Sequence, residues 1–247
     1  MLSAFASAFR TPDLRKKLLF TLGIIALFRL GSVVPTPGVD YKAIQTCISL
    51  VQDNSLYGLI NLFSGGALLQ LSVFALGIMP YITASIIIQL LTVVIPRLES
   101  LRQEGQSGQA KLTQYTRYLT IGLAVLQSTG IIALARVPGR LFQGCNESLL
   151  VSNDISLVLT MIFVMTAGTG VIMWLGENIT DKGVGNGMSL LIFTSIIATF
   201  PGQLWQIGTI NGAFTLLLVL LVGVFIIAGV VYVEQAQRRI PAQYAKR

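Results

Sequence analysis

The sequence contains no histidine and few charged side chains. Only 11% of its 247 residues are charged, and Asp and Glu together number 10. The absence of histidine removes the commonest general base and metal ligand. Nearly all the carboxylates fall in predicted loops, so no pair of them points into a membrane site. We therefore expect neither an enzyme of the intramembrane hydrolase or metalloenzyme type nor any cofactor or metal.

The low charge also excludes a water-soluble globule. Soluble domains carry about 25% charged residues because their surface must face water. Here 53% of the residues are hydrophobic and the mean hydropathy is +0.75. The composition predicts an all-α membrane protein that crosses the bilayer several times as a polytopic helical bundle.

Six apolar stretches are candidates for membrane spans, which need about 20 residues each. They cover residues 18–34, 67–95, 115–135, 155–175, 187–203 and 213–233. The first follows basic residues but no small-residue cleavage site, so we interpret it as a retained span and not as a signal peptide.

Basic residues predict the orientation of these spans. Arginines and lysines cluster in the N-terminal segment 1–17, in the loop 96–114 and in the last segment, 234–247. The positive-inside rule puts these segments, and so both chain ends, in the cytoplasm, with 176–186 as a cytoplasmic turn. The loops predicted to be external are 35–66, 136–154 and 204–212. The loop 136–154 fits least well because it mixes both charge signs.

The only two cysteines, Cys47 and Cys145, fall in predicted external loops. An oxidising compartment permits a disulfide bond there. Two cysteines so far apart in the sequence do not establish one, and the pairing stays open at this point.

The second apolar stretch is too long for a simple span. As one helix it would extend about 43 Å, against a hydrocarbon core of about 30 Å. Pro80 interrupts it, because proline lacks a backbone donor and biases Met79 away from the helical region. The simplest interpretation is a segment that dips into the membrane, a break, and a spanning helix over about 78–95. A kinked and tilted helix is the alternative; broken helices mark transport sites and pores.

The helix after this break carries an aliphatic stripe. Ile78, Ile82 and Ile86 recur at a spacing of four, which places them on one face. Such a stripe ordinarily faces lipid or a neighbouring helix, whereas a pore lining that excludes water by dewetting is the alternative. Gln89, together with Gln127 of the third span, predicts an interhelical polar contact, because an amide is costly in hydrocarbon.

Arg29 lies inside the first predicted span. Ionisable residues within a membrane are functional candidates by default. Because Arg29 is within a turn or two of the external end, we expect its side chain to snorkel to the headgroups.

The glycine-rich sequence 183–187 is not a nucleotide-binding loop. It follows a predicted membrane helix instead of a strand, and no Lys-Ser/Thr pair comes after it. We interpret it as a tight turn that needs glycine for positive φ.

Five strings, in this order along the chain, resemble the SecY family of the bacterial Sec translocon. They cover residues 61–67, 75–92, 114–118, 174–187 and 237–247. The resemblance implies a channel of about ten spans in two inverted halves. This chain resembles the first half plus one further helix, so alone it is not expected to form a working channel.

The resemblance also implies roles for particular residues. The pore ring would include Ile78, Ile82 and Ile192, below an external plug that begins at about residue 56. The plug residues are Asn61, Phe63, Ser64, Gly65 and Gly66. The lateral gate and signal-peptide side comprise Thr83, Ile86, Gln89 and Gln127. The contact with cytoplasmic partners comprises Arg238, Arg239, Lys246 and Arg247.

The function implied is passage of unfolded secretory polypeptides and sideways release of hydrophobic segments into the bilayer. The implied partners are the SecE and SecG subunits, the motor ATPase SecA, the ribosome with its RNA, signal peptides, nascent chains and membrane lipid. The implied location is the bacterial cytoplasmic membrane. A secondary transporter and a purely structural subunit are the alternatives; a transporter usually needs a buried charge or carboxylate, and Arg29 is the single candidate.

Overall fold

The computed structural model describes residues 11–50, 64–141, 145 and 147–236. Within these ranges the chain forms seven α-helices and no β-strand, which confirms the all-α prediction. The helices are α1 (Pro12–Val33), α2 (Tyr41–Leu50), α3 (Met79–Val94), α4 (Pro96–Gln103), α5 (Gln106–Ala135), α6 (Ile155–Lys182) and α7 (Gly187–Glu234).

Helices α1, α5 and α6 are longer than the apolar stretches that predicted them. The helix α1 begins at Pro12 instead of residue 18, and α6 continues to Lys182, seven residues into the predicted turn 176–186. An apolar stretch marks only what hydrocarbon would cover, whereas the helical hydrogen bonds continue into charged residues that water can solvate.

The largest difference from the prediction lies at 204–212, which we expected to be an external loop. Residues 204–211 are helical, and Gly212 has non-helical dihedral angles (φ 85°, ψ 165°), so α7 consists of two helical parts that meet at a kink there. Lower hydropathy disfavours burial in lipid but does not prevent a helix, and no proline interrupts 204–212.

Three helices among the described residues, α5, α6 and α7, are long and apolar enough to cross a membrane. A fourth crossing results if α3 and α4 count as one span, although they meet at 100°. Ile95 is extended at this bend (φ −101°, ψ 113°), as expected for a residue that precedes a proline. The fold is that of a multi-pass membrane protein, and the number of six crossings stays a prediction.

The chain divides into two compact units, Met1–Thr199 and Phe200–Arg247. In the first, α5 packs against α3, α4 and α6, and α1 packs against α6. In the second, the described residues form the later part of α7, and most of their large apolar side chains are exposed.

Two apolar clusters fill the first unit at successive levels along α6. The cysteine cluster consists of Ile44, Cys47, Leu71, Ala75, Leu76, Ala124, Ile132, Ala135, Leu141, Cys145, Leu149, Leu150, Met161 and Met165. The isoleucine cluster consists of Ile24, Phe28, Phe74, Ile78, Ile172, Leu175, Ile179 and Leu191.

Cys47 and Cys145 form a disulfide bond, with a Cα–Cα distance of 5.4 Å. The sequence did not establish whether these two cysteines pair; in the structure they do. The bond joins α2 to the segment before α6, and backbone hydrogen bonds reinforce the junction: the Asp40 amide donates to the Leu149 carbonyl (2.9 Å), and the Val151 amide to the Gly38 carbonyl (3.0 Å). The described parts of the two predicted loops, 35–50 and 147–154 together with Cys145, therefore lie on the same side of the bundle.

Candidate functional site

Residues 65–78 form a chain of turns without regular helix. The Leu71 amide donates to the Leu68 carbonyl at 3.0 Å, and the Gly77 amide to the Phe74 carbonyl at 2.9 Å. Leu71 has positive φ, at 45°, and is fully buried. Irregular backbone at membrane depth is tolerated only where protein or water surrounds it; here most of the segment is buried in protein.

A regular helix resumes immediately after these turns. Helix α3 begins at Met79, and Pro80 occupies its first turn, where no backbone donor is needed. The predicted broken span is confirmed, and the kinked continuous helix is excluded because 65–78 are not helical.

The three isoleucines of the implied pore ring come together at this junction. Ile78 is 2% exposed and belongs to the isoleucine cluster. Ile82 from α3 and Ile192 from α7 pack against the same cluster and line one cavity of about 500 Å³. Ile86, one turn further along α3, also lines this cavity and is 50% exposed.

A bidentate ion pair lies in the wall of the same cavity. The Arg117 Nε and Nη2 groups each donate to a carboxylate oxygen of Glu177, both at 2.8 Å, and so join α5 to α6. Sequence reasoning missed this pair. The signal in the sequence was that Arg117 and Glu177 carry opposite charges and lie in two of the strings that resemble the SecY family, 114–118 and 174–187.

The glycine-rich turn between α6 and α7 packs closely, as expected. Gly185 has a φ of 74°. The Gly187 amide donates to the Thr180 hydroxyl at 2.9 Å, and a Cβ at Gly187 would collide with the Gly176 carbonyl. The Asn186 side chain accepts from the Met188 amide at 3.0 Å and so caps the start of α7.

Of the residues that the resemblance implied for the plug, Ser64, Gly65 and Gly66 are described, whereas Asn61 and Phe63 lie outside the described residues. The Ser64 hydroxyl accepts from the Leu68 amide at 3.1 Å. Gly65 and Gly66 both have positive φ, at 65° and 93°, which glycine adopts without steric cost.

Arg29, which we expected to snorkel to the headgroups, has a partner within the protein. Its Nη1 donates to the Gly65 carbonyl at 3.0 Å. The acceptor lies in a turn of the irregular segment 64–78, where this carbonyl is not used by a helix.

The polar residues of the implied gate are dispersed. The Thr83 hydroxyl donates to the Met79 carbonyl of its own helix at 3.0 Å. The predicted contact between Gln89 and Gln127 is wrong: Gln89 lies 3.5 Å from Ser85 and lines a different cavity from Gln127. Gln127 shares its cavity with Met79, which is ten residues or about 15 Å along α3 from Gln89.

Comparison with known proteins identifies the family. The SecY family model matches residues 72–247. The chain belongs to the SecY family. It is 63% identical over 254 residues to protein translocase subunit SecY of Streptomyces scabiei and 56% identical over 250 residues to that of Mycobacterium bovis. All of this chain is covered in both cases, and it spans 58% and 56% of those proteins.

A solved structure, described as Sec61 in the canine ribosome-channel complex from the endoplasmic reticulum, has a similar fold. It is 17% identical, with a TM-score of 0.55, and the match covers 91% of this chain and 49% of that one. At this identity the likeness concerns the fold.

Of the site residues that the SecY resemblance implied, the structure brings together Ile78, Ile82 and Ile192, with Ile86 beside them. It keeps Gln89 and Gln127 apart. The four basic residues of the implied partner contact, Arg238, Arg239, Lys246 and Arg247, lie outside the described residues.

Proposed function

We propose that this chain is the N-terminal part of a protein-conducting channel subunit, which moves unfolded secretory polypeptides across the bacterial cytoplasmic membrane. The observation that carries the proposal is the convergence of Ile78, Ile82 and Ile192 at the point where irregular backbone gives way to α3. Membership of the SecY family supports it.

Aliphatic side chains suit such a conduit. A narrow ring of them excludes water and ions by dewetting. It can also widen around an extended chain of varied side chains, because no directional bond has to be remade. The three isoleucines form part of the ring, and the remainder comes from spans beyond this chain. The segment 56–70 serves as the plug on the external side.

Sideways release uses the face of the bundle that carries Gln127. Gln127 lies in an apolar cavity of about 650 Å³ with Met79, Leu76 and Leu134 among its lining residues. An apolar signal peptide would pack here and continue along α3 past Thr83 towards Ile86 and Gln89, which line other cavities. Such binding opens the lateral gate only by its greater affinity for the open state.

Energy and docking come from partners. No nucleotide-binding motif occurs in the sequence, so the motor ATPase SecA or the ribosome would supply the force. Arg238, Arg239, Lys246 and Arg247 would attract an anionic surface such as ribosomal RNA. SecE and SecG would complete the complex in the lipid bilayer.

The N-terminus is proposed to be cytoplasmic. This orientation puts Cys47 and Cys145 outside the cell, where disulfides persist. The disulfide also supports an external position for the loop 136–154, which was the weakest point of the charge-based orientation.

The test is site-specific photocrosslinking from Ile82 in bacterial membranes. The chain is co-expressed with the remaining spans of the family, and a stalled secretory precursor is supplied. We expect an adduct between Ile82 and the precursor that is lost with a cytosolic protein. The matched control is Leu126 of α5, which is 69% exposed and should label lipid instead.

Adducts from Ile82 only to lipid or to neighbouring helices, while the precursor is engaged by the complex, would contradict the channel assignment. The transporter and structural-subunit alternatives would then become the leading ones.

A further inference from the structure

Arg29 is a cation in the apolar part of α1 whose hydrogen-bond partner is a neutral group. The described residues contain two ion pairs, Lys111–Glu104 and Arg117–Glu177, and neither involves Arg29. Its Nη1 instead donates to the backbone carbonyl of Gly65, 36 residues further along the chain. Removing a guanidinium from water costs free energy unless its N–H groups donate hydrogen bonds. The bond to Gly65 offsets part of the cost of placing Arg29 in an apolar helix.

Gly65 fits tightly at the receiving end of this bond. It is buried, and a Cβ added there would lie 2.7 Å from Arg29 Nη1 and 3.2 Å from the Ser195 Cα. The backbone at Gly65 is thus confined between α1 and α7. Glycine is required for two reasons, the absence of space and a φ of 65°.

Buried polar atoms in and beside residues 70–72 of the same segment lack hydrogen-bond partners. Three buried side-chain oxygens, Thr36 Oγ1, Gln70 Oε1 and Ser72 Oγ, have no hydrogen-bond partner within the part of the chain that the structure describes. Thr36 lies next to residues 70–72, since its amide donates to the Leu71 carbonyl at 3.0 Å. Buried polar atoms without partners favour any rearrangement that hydrates them, and a hydrogen bond to the segment opposes such a rearrangement.

We propose that Arg29 is such a restraint: the hydrogen bond from its guanidinium to the Gly65 carbonyl holds the segment 64–78 in its closed position, and opening of the channel breaks the bond. The inference rests on the proposed function, in which residues 64–70 of this segment are the end of the plug. Arg29 acts here as a positioning residue for the plug.

The chemistry of the acceptor suits a restraint that must be released. A carboxylate would bind the guanidinium in a bidentate, charge-assisted pair that is hard to break away from bulk water. A single carbonyl binds more weakly. Water that enters as the channel opens can hydrogen-bond to both the guanidinium and the carbonyl in place of the bond between them. A bond between a charged and a neutral group shifts a local equilibrium by about tenfold to a hundredfold.

The experiment measures how fast a thiol in the segment becomes accessible. Leu68 is 7% exposed, so a cysteine there (Leu68→Cys) reports opening to a membrane-impermeant thiol reagent added from outside. The full-length protein in its complex is used, without precursor. Arg29→Met removes the donors at similar length, and Arg29→Lys keeps the charge with a different donor geometry. Lys16→Met is the matched control, because it removes a cation from the exposed start of the same helix.

We expect labelling per molecule to be about tenfold to a hundredfold faster in Arg29→Met, intermediate in Arg29→Lys and unchanged in Lys16→Met. Unchanged labelling in Arg29→Met overturns the proposal. If that variant does not accumulate, Gly65→Ala tests the same bond, because its methyl group displaces Nη1; unchanged labelling there also overturns it.

A general loosening of the bundle is distinguished by a second thiol. Met161 is fully buried in the cysteine cluster, so Met161→Cys must stay unlabelled when Arg29 is replaced, and faster labelling there overturns the specific role. The crosslink from Ile82 is independent of these rates. A positive crosslink with unchanged labelling refutes the restraint alone, whereas a negative crosslink refutes the proposed function.

Discussion

The two ends of the α5–α6 pair are held together in different ways. At the disulfide end, Cys47 and Cys145 are joined covalently inside an apolar cluster that contains fully buried Met161 and Met165. At the ion-pair end, the contacts are the Arg117–Glu177 pair and the glycine turn that leads into α7. The side chains of Arg117 and Glu177 remain 42% and 22% exposed.

The difference concerns how easily each end can rearrange. A disulfide bond and a dry apolar cluster resist changes that water or salt would bring about. Partly exposed ion pairs are individually weak and are screened by salt. The disulfide end is therefore the more rigid of the two, and the contacts at the ion-pair end can rearrange more easily.

Removing the disulfide bond should have the largest effect. In the double variant Cys47→Ala/Cys145→Ala, we expect the free energy of unfolding to fall by about 3 kcal/mol, because the bond closes a long loop. The sequence separation of the two cysteines is 98 residues. Thermal unfolding of the purified complex measures the loss, and hydrogen exchange should increase at 145–151 but not at 177–187.

Reductant provides the matched control. It should lower the melting temperature of the unmodified protein towards that of the double variant and leave the variant unaffected. Equal stability of both proteins, with or without reductant, would mean that the apolar cluster alone holds this end, and the contrast between the two ends would disappear.

The second prediction concerns packing at the ion-pair end. Gly187→Ala places a methyl group against the Gly176 carbonyl, and we expect it to destabilise the protein by about 2 kcal/mol, because backbone atoms cannot move aside cheaply. Gly122→Ala in α5 is the control, since a Cβ there meets nothing within 4 Å; it should be neutral or slightly stabilising. Equal effects of the two substitutions would show that the glycine turn is not closely packed in solution.

The sequence was informative where one physical signal dominates. The excess length of 67–95 and Pro80 predicted the break before α3, because hydrocarbon thickness and the missing proline donor both act locally. The spacing of four placed Ile78 and Ile82 on one face. In the structure Ile78 belongs to the isoleucine cluster and Ile82 packs against it.

The sequence was not informative where a partner is distant along the chain. Arg29 meets a backbone carbonyl, which every residue offers, so no side-chain pattern could predict Gly65 as its partner. Gln89 and Gln127 were paired by residue type, but their positions along α3 and α5 put them in different cavities. The helical character of 204–211 was missed because hydropathy predicts immersion in lipid and not backbone conformation.

The smallest expected effect belongs to the ion pair itself. In a double-mutant cycle with Arg117→Gln and Glu177→Gln, we expect a coupling free energy of about 1 kcal/mol, reduced by the exposure of Arg117. The matched pair is Lys111–Glu104, at 3.5 Å with side chains 59% and 45% exposed, whose coupling should be close to zero. High salt should weaken the first coupling and leave the contribution of the disulfide bond unchanged. A coupling that resists salt would mean that the Arg117–Glu177 pair is shielded from water, and the ion-pair end would then be as rigid as the disulfide end.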